Sequence, residues 1–195
     1  MDLQLLHTAY TSPVQRVLVI GCRGSGKTTL TRRIAAERSL PWTSLDSIFW
    51  KPGWVETPDA EFIPRVEALC KGDAWVIDGS YVRTLAKRLE YADTVVWLDL
   101  PRRSCLWGVT RRILNGYGRV RSEMPEGCAE HLNWSFYKWI WNFKRRHDAL
   151  YLELLTDWLG RDIERGKCVT NAGASRRAWW VTNRREQALA GRSDL

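Results

Sequence analysis

Residues 21–28, GCRGSGKT, match the phosphate-binding pattern G-x-x-x-x-G-K-[ST]. The three glycines permit backbone conformations that other residues avoid, so successive N–H groups can point inward at a phosphate chain. In this pattern the lysine reaches the β and γ phosphates, and the following hydroxyl binds Mg²⁺. The pattern therefore predicts a site for ATP and Mg²⁺ that is formed by Gly21, Arg23, Gly24, Ser25, Gly26, Lys27, Thr28 and Thr29.

The residues around the loop fit the same prediction. RVLVI, directly before it, has the β-branched and aliphatic composition of a buried strand. TTLTRRIAAERSL, directly after it, places Leu30 and Ile34 at helical spacing. Strand, loop and helix thus follow in the order that a P-loop requires, and the helix that begins near Gly26 adds the positive end of its dipole.

Four further segments have the pattern of strands: PWTSLDSIF, which ends near Asp46, AWVIDG, DTVVWLDLP and AWWVTN. Two segments between them, TPDAEFIPRVEALC and RRSCLWGVTRRIL, have the pattern of helices. Strands that alternate with helices indicate an α/β fold with a parallel sheet covered on both faces. A length of 195 residues fits one domain. We expect residues 1–15 to be an N-terminal extension and residues 160–177 a connecting loop.

Aspartates stand at the ends of three predicted strands, where ligands bind in sheets of this kind. Asp78 is the predicted holder of hydrated Mg²⁺, because Gly79 after it leaves room beside a nucleotide. Asp46 occupies the equivalent place after the second strand. For Asp99, a helix cap and a functional role stay equally open.

Positive charge dominates one part of the chain. The net charge is +8, from 30 basic and 22 acidic residues, which favours a nucleotide, a nucleic acid or a membrane surface as partner. Six arginines and no acidic residue lie between Asp99 and Glu123. Residues 115–130, rich in glycine and arginine, have the pattern of a surface loop that can close as a lid.

Arginines in a closing loop suit phosphoryl transfer, because guanidinium groups neutralise the charge that spreads over the moving group. Arg119 and Arg121 lie inside the predicted lid, and Arg111 and Arg112 lie just before it. Arg145 and Arg146 lie on the next helix. Arg119, Arg121 and Arg145 are candidate catalytic residues together with Lys27, and Arg111 and Arg112 are candidate ATP ligands.

The helical stretch after the lid carries two stripes. The first should pack on the core and consists of Leu132, Phe136, Ile140, Phe143, His147, Leu150, Leu154 and Trp158. The second is aromatic and basic and consists of Trp134, Lys138, Trp141 and Arg145. Packing of these tryptophans on the lid or the domain is favoured over stacking on nucleic-acid bases, although both stay open.

Cysteine usage and the N-terminus favour a cytoplasmic protein. The five cysteines are widely spaced without a C-x-x-C pair, which argues for reduced thiols. MDLQLLHTAY lacks the basic start of a secretory signal, and no apolar run approaches the ~18 residues of a membrane span.

Taken together, the P-loop, WVIDGSY, DTVVWLDLP, the arginine loop and FKRRH resemble the P-loop nucleoside monophosphate kinase superfamily. More narrowly, LDSIFWKPGWVETP is similar to a pattern of small bacterial proteins described as DNA topology modulation or adenylate-kinase-like proteins. The resemblance implies a P-loop NTPase fold with five parallel strands in the order 2-3-1-4-5 and a lid at 115–130. It also implies transfer of phosphate from ATP, with Mg²⁺, to an acceptor.

The same resemblance suggests where the acceptor binds. Adenylate kinases hold the acceptor phosphate with an arginine shortly after aspartate-glycine, and here DGSYVRT places Arg83 one residue farther along. Asp46 resembles the carboxylate that small-molecule kinases place near an acceptor hydroxyl, as a base or an orienting group. A helix cap or a loop-satisfying carboxylate is an equally open role for it. Asp78 would also border the acceptor, and Asn183 and Arg184 would lie near the adenine.

A kinase that acts on a nucleotide or another small molecule is the function that these patterns favour. A nucleotide-dependent nucleic-acid-binding protein and an ATPase are the alternatives. Arginines directed at ATP would produce the same excess of charge as a nucleic-acid surface, so charge alone does not separate these classes.

Overall fold

The computed structural model describes residues 14–159 and two later strands, Cys168–Thr170 and Arg177–Val181. The elements follow in this order: β1 (Arg16–Gly21), α1 (Lys27–Arg38), β2 (Trp42–Ser44), α2 (Leu45–Phe49), β3 (Trp50–Lys51), β4 (Val55–Glu56), α3 (Asp59–Cys70), β5 (Trp75–Asp78), a 3₁₀ turn (Val82–Thr84), α4 (Leu85–Tyr91), β6 (Thr94–Leu98), α5 (Arg102–Gly116), α6 (Trp134–Leu159), β7 (Cys168–Thr170) and β8 (Arg177–Val181).

The main sheet has the strand order β2-β5-β1-β6-β8-β7. Its first four strands are parallel, whereas β8 runs antiparallel to both β6 and β7. The prediction of five parallel strands was therefore wrong. The segment expected to be a plain connecting loop contains β7, and this additional strand pairs antiparallel with β8.

Apolar side chains cover both faces of the parallel strands. Residues such as Leu18, Ile77 and Val95 belong to a large core that also includes side chains of α3 to α6. Their neighbours in sequence, such as Val17 and Val96, face the other way and pack with α1. Continuous apolar runs are required where a parallel sheet is buried on both faces.

The carboxyl ends of the parallel strands form one edge of the sheet. Asp78 is in register with Val19 on one side and Ser44 on the other. The second strand ends at Ser44 rather than near Asp46, which lies in the first turn of the short helix α2. This edge brings together the P-loop, Asp78 and the start of α2.

A small hairpin, β3 and β4, joins the sheet edge to the lid. Trp54 donates from Nε1 to the carbonyl oxygen of Ala129 at 3.2 Å, and the Cys128 thiol donates to the carbonyl oxygen of Lys51 at 3.4 Å. Trp50 and Trp54 pack edge to face within the hairpin. The hairpin thereby fixes the second half of the lid.

The core-facing stripe of α6 differs from the predicted one. Ile140, Phe143 and Trp158 are buried as predicted, but Leu132 precedes the helix and is 51% exposed. Tyr151 and Leu155 are fully buried in place of the half-buried Leu150 and Leu154. After His147 the buried face takes two steps of four, to Tyr151 and Leu155, where the predicted stripe took a step of three to Leu150.

The second stripe of α6 is more exposed than the packing favoured for its tryptophans predicts, although Arg102 covers part of the Trp141 ring. The exposed fraction is 76% for Trp134 and 44% for Trp141.

Within the described part of the chain, no helix has the length and apolar character that crossing a bilayer requires.

Candidate active site

The P-loop lies between β1 and α1 and is pressed against α5. Gly24 and Gly26 have φ angles of 79° and 89°, in the left-handed region that favours glycine. A Cβ on Gly24 would lie 2.1 Å from the carbonyl oxygen of Cys105, and one on Gly108 would lie 2.2 Å from that of Gly24. Loop and helix can approach this closely only because both positions lack a side chain.

The Lys27 ammonium group spans the loop to which it belongs. Its Nζ donates to the carbonyl oxygen of Cys22 at 2.9 Å. Burial lowers the pKa of Lys27, while the nearby charges of Asp78 and Asp46 act in the opposite direction. The half-buried ammonium group thus lies over the turn that Gly24 and Gly26 form, the position that a phosphate-binding loop requires.

Asp78 has the surroundings that a Mg²⁺ site needs. Its Oδ1 accepts a hydrogen bond of 2.8 Å from Ser44, whereas its buried Oδ2 has no hydrogen-bond partner within the described residues. Burial raises the pKa of Asp78, and the charge of Lys27 and the side chain of Thr28 lower it. One carboxylate and one hydroxyl fit Mg²⁺, which takes its other ligands from phosphates and water.

Asp46 is held by two donors on its Oδ1. Tyr81 donates from its hydroxyl at 2.6 Å, and the Arg23 guanidinium lies at 3.3 Å. Burial raises the pKa of Asp46, but the charge of Arg23, the Tyr81 hydrogen bond and the charges of Arg121 and Lys27 outweigh it and lower the pKa to about 2. The carboxylate is therefore ionised at neutral pH.

Aromatic rings surround this polar group. The Tyr81 ring contacts those of Phe49 and Phe62, at centroid distances of 4.6 Å and 5.1 Å. The Arg23 guanidinium lies 5.6 Å and 5.2 Å from the ring centroids of Phe136 and Trp139 on α6. The rings exclude water from one side of Asp46, which strengthens its interactions with Arg23 and Tyr81.

The connection between α5 and α6, residues 117–133, contains most of the predicted lid (residues 115–130) and is held by ion pairs. Glu130, 4% exposed, lies 2.7 Å from Arg121 Nε and 3.0 Å from Arg112 Nε. Glu123 pairs with Arg121 at 3.0 Å and with Arg32 of α1 at 2.8 Å. Two carboxylates thus join the lid to α5 and α1.

The remaining predicted residues are dispersed. Arg119 and Arg111 are exposed, and Arg145 is exposed on the outer face of α6. Arg83 pairs with Asp59, and its guanidinium lies 5.1 Å from the ring centroid of Phe49.

The other candidates are either paired or lie elsewhere in the chain. Asp99 pairs with Lys144 of α6, and Pro101 occupies the N-cap of α5, so Asp99 does not cap that helix. Asn183 and Arg184, as well as residues 1–13, lie outside the described residues.

Three sets of contacts around the candidate site were not predicted from the sequence. The Arg23 side chain, predicted only as part of the ATP loop, reaches Asp46, and Tyr81 supplies the short hydrogen bond. Arg88 is fully buried and donates to the carbonyl oxygens of Gly79 and Tyr81, each at 2.9 Å. The nearness of Tyr81 to Asp78 in DGSY was the one available signal; nothing in the sequence distinguishes Arg88 from a surface arginine.

Comparisons with known proteins identify the fold. No protein-family model and no curated protein matches the chain. Among solved structures, shikimate kinase from Acinetobacter baumannii in complex with shikimate is similar over 89% of this chain and 90% of its own, with 20% identity and a TM-score of 0.50.

Two further structures have lower scores. Shikimate kinase from Aquifex aeolicus vf5 is 16% identical over 69% of this chain and 82% of its own, with a TM-score of 0.42. A gluconokinase from Sinorhizobium meliloti 1021 is 14% identical over 72% and 98%, also with a TM-score of 0.42. The chain has the α/β fold of P-loop kinases.

The Tyr81 hydroxyl should account for part of the low pKa of Asp46. Because the hydrogen bond favours the ionised carboxylate, Tyr81→Phe should raise the Asp46 pKa from about 2 towards its ordinary value. NMR titration of the Asp46 carboxyl carbon measures this change, with Tyr91→Phe as the matched control. An unchanged pKa in Tyr81→Phe would contradict the described geometry.

Proposed function

We propose that this chain is an ATP-dependent kinase that transfers the γ-phosphoryl group to a hydroxyl of a small-molecule acceptor. The observation that carries the proposal is Asp46, an ionised carboxylate at the sheet edge that feels the charge of the P-loop lysine, Lys27. A P-loop alone is compatible with many reactions. A fixed carboxylate on its acceptor side is the arrangement expected of a kinase whose acceptor is a hydroxyl.

The phosphate half of the proposed site consists of the P-loop amides, Lys27, Thr28 and Asp78. We propose that Thr28 and Asp78 hold Mg²⁺, Asp78 partly through water. When bound, Mg²⁺ neutralises charge on the β and γ phosphates. Lys27 keeps its ammonium group over the loop, ready to exchange the Cys22 carbonyl for a phosphate oxygen.

In the proposed reaction, the acceptor oxygen bonds to the γ-phosphorus while the bond from that phosphorus to the β-phosphate bridging oxygen breaks, and ADP leaves. A carboxylate with a pKa of about 2 is a weak base. We therefore propose that Asp46 first orients the hydroxyl and accepts its proton late, when bond formation has made the hydroxyl acidic. Arg23 and Tyr81 keep Asp46 ionised and fixed in place for this role.

Of the two arginines in the predicted lid, Arg121 is better placed than Arg119 to neutralise charge on the moving group, because its charge already reaches Asp46. Arg112 shares the Glu130 carboxylate with it. A nucleoside monophosphate is the alternative acceptor, for which Arg83 would exchange the Asp59 carboxylate for the acceptor phosphate. We also propose a narrower kinship to the DNA topology modulation group, on the basis of the segment LDSIFWKPGWVETP, which forms α2 and the hairpin of β3 and β4.

The kinase proposal is tested by measuring ADP release from Mg-ATP in the presence of sugars, other hydroxylated metabolites and nucleoside monophosphates. We expect a hydroxylated metabolite to stimulate turnover in the wild-type protein. Lys27→Ala should abolish the stimulated turnover, because the phosphate charge loses its main partner. Equal turnover in Lys27→Ala would contradict the P-loop assignment, and stimulation by a nucleoside monophosphate alone would contradict a hydroxyl acceptor.

Asp46→Asn should lower kcat on the order of 10²-fold with the stimulating acceptor, while ATP still binds. The amide keeps the shape of the side chain but loses the charge that orients the hydroxyl and accepts its proton. Asp73→Asn, at an exposed aspartate, is the matched control. Wild-type kcat in Asp46→Asn, with Arg83→Ala raising the acceptor KM instead, would indicate a phosphate acceptor.

Arg121→Ala should lower kcat on the order of 10²-fold or more and change ATP affinity much less, because its charge is needed most in the transition state. Arg119→Ala removes the same group from an exposed position of the same lid, so its effect should be smaller. Steady-state kinetics and equilibrium ATP binding separate the two quantities. Parallel losses of binding and turnover in Arg121→Ala would instead identify a ground-state contact.

A further inference from the structure

Two packed helices, α5 and α6, carry a surface that the proposed kinase reaction does not use. A hydrogen bond of 3.0 Å between the hydroxyls of Thr110 and Tyr137 joins the helices. Neither residues 102–116 nor residues 131–147 contain an acidic side chain. The basic-aromatic surface comprises eight exposed residues of these helices: Arg102, Arg103, Trp107, Arg111, Trp134, Lys138, Trp141 and Arg145.

Three of these exposed residues are tryptophans. The exposed fraction is 65% for Trp107, 76% for Trp134 and 44% for Trp141. Indole rings are highly buried on average, because exposing so large an apolar surface to water is costly. Several exposed indoles on one pair of helices therefore indicate an interaction surface rather than a packing surface.

The arrangement on α6 alternates rings and cations. Trp134, Lys138, Trp141 and Arg145 follow at steps of four, three and four, so they share one face. Two helical turns separate the indoles by about 10 Å along the axis. The Arg102 guanidinium of α5 lies 3.9 Å from the centroid of the Trp141 ring, which places a third cation on this stripe.

A surface cavity of about 420 Å³ lies beside Trp141. It is lined by Pro101, Arg102, Trp141, Asn142, Lys144 and Arg145. This volume accommodates a small planar group. Its lining offers one aromatic ring, one amide and three basic side chains, of which Lys144 is paired with Asp99 and Asp148.

We propose that the basic-aromatic surface binds single-stranded nucleic acid. Exposed bases stack on Trp134 and Trp141, and the cations between and beside the indoles contact the phosphates. Because the two indole rings are about 10 Å apart along the helix axis, each ring stacks on a different base. A lipid surface fits less well, because a membrane-binding helix needs a continuous apolar face, which the cations of this stripe interrupt.

This inference is independent of the proposed kinase activity. Asp78 is buried and Lys27 half-buried at the sheet edge, whereas all eight residues of the basic-aromatic surface are exposed on α5 and α6. A base-paired duplex hides its bases from indoles, so single strands should bind more tightly than duplexes.

The test is fluorescence anisotropy of a fluorescein-labelled oligothymidine of about 16 nucleotides, titrated with the full chain. We expect a Kd on the order of 10⁻⁶ M at low salt, weakening as salt is added. Trp134→Ala and Trp141→Ala should each weaken binding on the order of 10-fold, and the corresponding phenylalanine variants should retain most of it. Arg103→Ala with Lys138→Ala should reduce the slope of log K against log salt by about 0.7 for each phosphate that is no longer neutralised.

Matched controls distinguish binding at the basic-aromatic surface from attraction by positive charge elsewhere on the protein. Arg33→Ala with Lys71→Ala removes two exposed cations elsewhere, and Val55→Ala removes an exposed apolar side chain of β4. These controls should bind as wild type, and circular dichroism should show every variant folded. Wild-type affinity in the double variant Trp134→Ala/Trp141→Ala would overturn the proposal.

Three further outcomes would also overturn it. The first is a complete lack of binding at low salt. The second is tighter binding to phosphatidylserine vesicles than to the oligonucleotide, with the same dependence on tryptophan, which would identify a membrane surface. The third is full displacement of the oligonucleotide by ATP together with loss of binding in Lys27→Ala, which would place the oligonucleotide in the P-loop.

Discussion

The buried guanidinium of Arg88 fixes the segment on which the candidate site depends. It donates to the carbonyl oxygens of Gly79 and Tyr81, and although burial lowers the pKa of Arg88 to about 10, the group stays charged at neutral pH. Hydrogen bonds from a charged donor each contribute about 1.5–3 kcal/mol, which offsets part of the cost of burying the charge. Residues 78–81 are thereby held in one conformation, with the Asp78 carboxylate at one end and the Tyr81 phenol, which donates to Asp46, at the other.

Opposite charges are interleaved at the sheet edge. The charges of Asp46 and Asp78 both act on Lys27, and Arg23 adds a second cation beside Asp46. In a poorly hydrated site each charge is stabilised by its neighbours rather than by water. Such groups need little reorganisation when a phosphate chain arrives, which is the main way in which a protein lowers the barrier to phosphoryl transfer.

Whether the sequence predicts a contact depends on how far apart the two residues lie along the chain. Gly24 and Lys27 belong to a local motif whose backbone geometry is independent of distant residues, so their spacing is sufficient to recognise them. The pairing of Arg23 with Asp46 joins residues that only the parallel pairing of the sheet brings together. The direction of β8 likewise depends on β7, a strand of three residues without a clear pattern of its own. Neither the Arg23–Asp46 pair nor the pairing of β7 with β8 has a signal among the residues nearby in the sequence.

The arginines of the lid show that the burial of a guanidinium group matters more than how many arginines the segment contains. Arg121 contacts two carboxylates, Glu123 and Glu130, and a phosphoryl group must replace at least part of this pairing if Arg121 is to stabilise it. Such an exchange needs little rearrangement because carboxylate and phosphate oxygens accept the same planar fork of N–H groups. The acids therefore keep the guanidinium desolvated and oriented until an anion of higher charge competes for it. An exposed arginine such as Arg119 must lose water and side-chain freedom at that moment, so its position in the same lid gives it a smaller advantage.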